Sequence, residues 1–107
     1  MFRDEASILV RLTSYFGLSI EEARTYVVAL KEGSVAEGEV ETLLRRGMLI
    51  RSANEKVYLP VHPRFALSNL FRSLGDRSSP EMRERRKLVD KLTLELIPVY
   101  EAGRQAR

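Results

Sequence analysis

Apolar positions near the start of the chain recur at helical spacing. Ile8, Leu9, Leu12, Tyr15 and Phe16 form an i, i+3/i+4 stripe, which predicts a helix over 4–15, capped by Asp4 and ended by Gly17. The next stretch, FGLSIEEARTYVVALKEGS, carries a fuller signature. Ser19 stands at an N-cap position and Glu22 follows three residues later, the spacing of a capping box. Leu18 and Ala23 occupy the staple positions. Ala23, Tyr26, Val27 and Leu30 share one face, and Gly33 supplies a left-handed stop, so a helix is predicted over 19–32. A third, shorter helix is predicted over 36–46, with Val40, Leu43 and Leu44 inward. Gly38 weakens its first turn by roughly 1 kcal/mol relative to alanine. Arg45 and Arg46 fall in its last turn, where cations favour the helix dipole, and Gly47 ends it.

The period then changes. Met48–Arg51 and Lys56–Leu59 are short β-prone runs separated by Ser52-Ala-Asn-Glu55, which predicts a hairpin with Asn54 in its turn. Pro60 and Pro63 are expected to halt the ladder. Residues 63–74 read as a fourth helix, with Pro63 in its first turn and Phe65 or Ala66, Leu67, Leu70, Phe71 and Leu74 on its apolar side. A linker follows over 75–80. Ser79 and Pro80 open a last helix over 80–102, whose Leu88, Leu92, Leu96 and Val99 fall at i, i+4, i+8 and i+11. Its first half, MRERRKLVDK, is poor in core-type residues, so this helix is expected to bury little against its own domain. The seam then points to the same helix of a second chain, giving a homodimer; folding back on its own domain is the alternative. Pro98 is expected to kink or break the helix. The division expected is a domain over 1–75 and a helical dimerisation extension over 76–107.

Composition narrows the class. The chain has 107 residues, 44% hydrophobic and 31% charged, which fits one folded domain. It has no cysteine, so a disulfide scaffold and cysteine-ligated zinc are excluded. No apolar run approaches the ~20 residues that span a bilayer. The opening MFRDEASILVRL lacks the apolar core and cleavage site of a secretory signal, so a cytoplasmic protein without membrane association is expected. The net charge is +3, unevenly spread: residues 1–34 hold four basic and five acidic groups (net −1), residues 65–91 seven and four (net +3). A basic region of this kind points weakly to a polyanion; a solvated surface with scattered arginines accounts for it equally.

The order of elements is that of a winged-helix domain with a helical extension. Phe16, Gly17, Leu18, Ser19, Glu22, Ala23, Arg24 and Tyr26 resemble the opening of archaeal TrmB-type transcription regulators. Val40 and Leu43–Ile50 are similar to the end of that family's recognition helix and its first wing strand. Lys56–Pro63 is similar to the second wing strand and its exit. The likeness covers about residues 8–74. It implies a mostly α fold with a small β-hairpin, a winged helix-turn-helix-like domain followed by a long C-terminal helix, and binding to double-stranded DNA. One departure stands out. The family places two helices and a turn where this chain has only the thirteen residues Ser34–Arg46. At about 1.5 Å per residue these make one helix of about three turns. That helix also begins with Glu37, Glu39 and Glu41, which would repel a DNA backbone.

Candidate chemistry follows from this. The one histidine, His62, lies between Val61 and Pro63 at the hairpin exit and reads as structural. No Ser/His/Asp pattern or phosphate-cradling glycine loop is present, so no catalysis, cofactor or metal is expected. Glu37, Glu39 and Glu41 do not converge on a helix and read as a solvated face. Arg45, Arg46, Arg51, Lys56 and Arg64 would sit at the end of the third helix and around the wing, near phosphates. The run Arg83, Arg85, Arg86, Lys87 reads as a solvated helix face. The expected function is a DNA-binding transcription regulator that works largely through phosphate contacts. The alternative is a winged-helix-derived protein-interaction module that does not bind DNA.

Overall fold

The computed structural model describes residues 5–53, 56–74 and 79–106. The expected Asp4 cap, the Asn54 turn and most of the 75–80 linker lie outside the described residues. The protein is mostly helical, with a small antiparallel hairpin and a long C-terminal helix. The elements run α1 (Glu5–Phe16), α2 (Ile20–Glu32), α3 (Val40–Arg45), β1 (Leu49–Arg51), β2 (Tyr58–Pro60), α4 (Pro63–Arg72) and α5 (Pro80–Ala106).

Local sequence explains α2 directly. The Ser19 hydroxyl accepts from the Glu22 N–H (3.1 Å), and the Glu22 carboxylate accepts from the Ser19 N–H (2.7 Å). Gly33 closes the helix in a left-handed conformation at φ 87°. Ala23, Tyr26, Val27 and Leu30 are buried as the spacing predicts, and Thr25 and Ala29 are buried too, so across the middle turns of α2 only Arg24 is exposed. The Tyr26 hydroxyl donates to the Val61 carbonyl at 2.9 Å and ties α2 to the entry of α4. Burial pushes the phenol far above its usual range, and the Tyr100 phenol adds to this.

The third helix is shorter than the sequence predicts. It begins at Val40 rather than residue 36, because tertiary contacts hold the preceding segment elsewhere. Val35 exchanges two backbone hydrogen bonds with Tyr58 (2.9 and 2.8 Å), a bridge on the far side of β2 from β1. Gly38 stands at φ 126°, outside helical space, and the Thr25 hydroxyl accepts from the Glu39 N–H at 3.2 Å.

In the hairpin, Leu49 pairs with Pro60, Ile50 with Leu59 and Arg51 with Tyr58. The ladder ends at Pro60, as expected, with one further bond beyond it, from the Val61 N–H to Met48 O at 2.8 Å. Alternate N–H groups of a strand point to opposite sides, and the N–H that Pro60 lacks would point away from β1.

In α4 the ambiguity between Phe65 and Ala66 resolves inward for Ala66. Ala66, Leu67, Leu70 and Phe71 are buried, while Phe65 is 62% exposed. Helix α5 packs chiefly against α2 and α4. This corrects the expectation that it buries little against its own domain: Leu92 and Leu96 are fully buried within the chain and Val89 nearly so. Of the expected dimer seam, only half-buried Val99 and Leu88, 46% exposed, reach the surface. Residues on both sides of the 75/76 boundary join one hydrophobic core cluster.

Helix α5 also runs on through Pro98 to Ala106 instead of breaking. Pro98 and Leu94, whose carbonyl the missing N–H would have met, are both exposed, so water can take that bond. At the α2–α5 crossing Gly103 is buried, and a Cβ there would stand 1.8 Å from Leu30 O. Among the described residues no helix is long and apolar enough to cross a membrane.

Candidate nucleic-acid interface

Helix α4, PRFALSNLFR, contains two arginines and no carboxylate. Its start is fixed by His62, whose Nδ1 accepts from the Arg64 N–H at 3.1 Å, with Pro63 at the first helical position. That start sets the rotation of the helix. Ala66, Leu67, Leu70 and Phe71 face the core, which leaves Arg64, Phe65 and Arg72 exposed.

The C-terminal ends of α3 and α4 are joined by one side chain. Asn69 Nδ2 donates to the Gly47 carbonyl at 2.9 Å, and its Oδ1 accepts from Arg72 Nη2. Gly47 takes φ 77°, and the Met48 N–H closes the helix end on Leu43 O at 2.9 Å. Beside this junction lies an open groove of about 540 Å³, lined by Phe16, Arg45, Arg46, Asn69, Leu70 and Ser73, with Leu74 at its end. Arg45 is exposed and Arg46 half-buried; among the described residues neither forms an ion pair. Two guanidinium forks on an open groove suit a phosphate group, which accepts their parallel N–H bonds.

The five cations expected near a polyanion do not form one patch. Arg45 and Arg46 are brought together in the groove. Arg51 lies across the hairpin: its guanidinium sits 5.4 Å from the Tyr58 ring centroid, with Nη2 3.7 Å from Glu41 Oε1. Glu41 of α3 thus offsets one of the expected cations. Lys56 is exposed. Arg64 lies on the other flank of α4, where it lines a small polar niche with Ser68, Arg86 and Asp90. Arg86 there is paired with Asp90 at 3.1 Å and stacks over Phe71 at 5.3 Å. In the same basic run of α5, Lys87 pairs with Glu84 at 3.3 Å. Arg85 Nη1 donates to the Tyr15 carbonyl at 3.2 Å, so that residue helps dock α5 on α1.

Asn69 and Ser73 line the groove and Arg72 is tied to its edge through Asn69, but none of the three was singled out by motif. The signal that would have found them is the absence of any carboxylate across Pro63–Ser73, combined with i, i+3 spacing of Asn69 and Arg72. Among the described residues no three His, Asp or Glu side chains group to hold a metal. No family model matches this chain, and neither a curated protein nor a solved structure matches it significantly.

Proposed function

We propose that the protein is a DNA-binding regulator of winged-helix type that holds the sugar-phosphate backbone rather than reading bases. The observation that carries this reading is the groove at the α3–α4 junction, where Arg45 and Arg46 stand without carboxylate partners among the described residues and Arg72 is held alongside by Asn69. The hairpin after α3 and the resemblance of residues 8–74 to TrmB-type regulators support the same reading. Helix α3 has six residues, too few to lay a recognition surface along a major groove, so affinity rests on charge and sequence preference is weak.

Titration of a labelled random duplex at a series of salt concentrations tests this. The expected result is a linear fall of log K with log salt, shallower by about one unit for each of Arg45, Arg46 and Arg72 changed to alanine. Absence of binding at low salt would overturn it.

A second reading, a protein-docking module without DNA affinity, is favoured by the Glu41–Arg51 pairing and by the exposed apolar side chains Val10, Ile50 and Leu94. It predicts no response to salt or to the arginine substitutions.

A further inference from the structure

Phe65 is the most exposed aromatic ring among the described residues, and it does not stand alone. Its ring meets His62 edge-on at 6.0 Å between centroids, and His62 in turn meets Tyr100 edge-on at 4.9 Å. The His62 ring is fixed by the hydrogen bond that Nδ1 accepts from Arg64, so the Phe65 ring rests on a positioned neighbour. Cations flank the cluster. Arg64 is exposed next to Phe65, and the Arg104 guanidinium lies 5.8 Å from the Tyr100 centroid.

Phe65, Asn69 and Arg72 fall at i, i+4 and i+7, on one side of α4. The aromatic ring therefore stands about 10 Å along the helix from the arginine end of the same stripe. We infer that this stripe of α4 binds an unpaired nucleic-acid strand, with a base stacked on Phe65 and the adjoining phosphates on Arg72, Arg45 and Arg46. The inference rests on the groove being a phosphate contact and adds the substrate form. In a closed duplex the base faces are stacked on one another and offer nothing to a lone ring; an unpaired base offers a free face, and stacking on an aromatic side chain needs no particular sequence. Arg72 on the same stripe of a helix without carboxylates, with Arg45 and Arg46 in the groove beyond, favours a polyanion over an apolar peptide segment.

The test compares a labelled oligothymidylate with a duplex of equal length, using the intact chain, Phe65→Ala, Phe65→Trp and the Arg45→Ala/Arg46→Ala double variant. The oligothymidylate is expected to bind the intact chain more tightly than the duplex. Phe65→Ala should weaken it by about fivefold to a hundredfold, the range of one base-aromatic stack, and change duplex binding less than twofold. The native chain contains no tryptophan, so Phe65→Trp introduces a single indole whose emission should be quenched as the oligothymidylate binds. Arg45→Ala/Arg46→Ala should weaken both ligands. Oligothymidylate affinity indifferent to Phe65→Ala, or binding that leaves the indole emission unchanged, would overturn the inference while leaving the phosphate groove standing. Failure of both ligands to bind the intact chain would overturn both.

Discussion

At the α2–α5 crossing, a Cβ on Gly103 would stand 1.8 Å from Leu30 O and 3.2 Å from Gly33 N, both backbone atoms. At the α3–α4 junction, a Cβ on Gly47 would meet Asn69 Nδ2 at 2.5 Å, the end of a side chain. Both junctions use a glycine, but they are built for different ends. In the first, two helices touch backbone to backbone and nothing there can give way. In the second, one amide side chain spans the gap and leaves an open groove with two arginines on its wall. The closed junction fixes α5 as a wall of the core; the open one carries the candidate chemistry.

Substitutions that fill each junction should separate them. Gly103→Ala should cost about 3 kcal/mol of unfolding free energy in urea or thermal melts, because α5 must move off α2 to admit the methyl group. A change below about 0.5 kcal/mol would show that the last turns of α5 are not held there. Gly47→Ala should cost about 2 kcal/mol, from the left-handed backbone and from the clash with Asn69. Only the clash can be relieved. In the double variant with Asn69→Ala, the combined loss should fall short of the sum by about 0.5–1 kcal/mol. Strict additivity would mean that Asn69 does not press on Gly47. No side-chain substitution should rescue Gly103→Ala.

A smaller effect is expected where α2 meets the entry to α4. Tyr26→Phe removes the hydrogen bond to the Val61 carbonyl and should cost about 1 kcal/mol, measured by the same melts. The smallest effect concerns Glu95, which bonds both oxygens to Arg11 at 2.8 Å and pins α1 to α5. The bonds from Arg11 hold its carboxyl below the usual carboxylate range, and Lys91 adds to this, while partial burial opposes it. A carboxyl lowered on folding stabilises the protein above the unfolded-state range, and that contribution is lost as the pH falls through the folded value. Because the pair is partly exposed, the loss should stay below about 1 kcal/mol. Glu95→Gln should flatten this part of the stability-pH curve without moving the neutral-pH melt by more than that.

How much was legible in the chain differs between the two junctions in the same way. Helix α2 was readable almost residue by residue, because a capping box, an apolar stripe and a glycine stop are all local signals. The hairpin was readable from its change of period. The start of α3 was not, since Val35 is held by Tyr58 and Glu39 by Thr25, partners far along the chain. The candidate site was half legible. Arg45 and Arg46 were identified by their place at a helix end, but Asn69 and Arg72 join them only because α4 folds back beside α3. Arg51 and Arg64 carry the same charge yet lie with other partners, one beside Glu41 and the other across α4 near Arg86.

Local sequence was enough to bound α2 and to mark which helix faces are apolar, because caps, glycine stops and spacing act over a few residues. Tertiary structure alone decided what those faces meet. An apolar seam on α5 reads the same whether it covers a second chain or its own core, and Leu92 and Leu96 turn inward because α2 and α4 present the complementary surface within one chain. Charge obeys the same limit: a run of arginines fixes the number of positive groups, but their mutual distance, and so their combined pull on a phosphate, is set by packing between helices far apart in sequence.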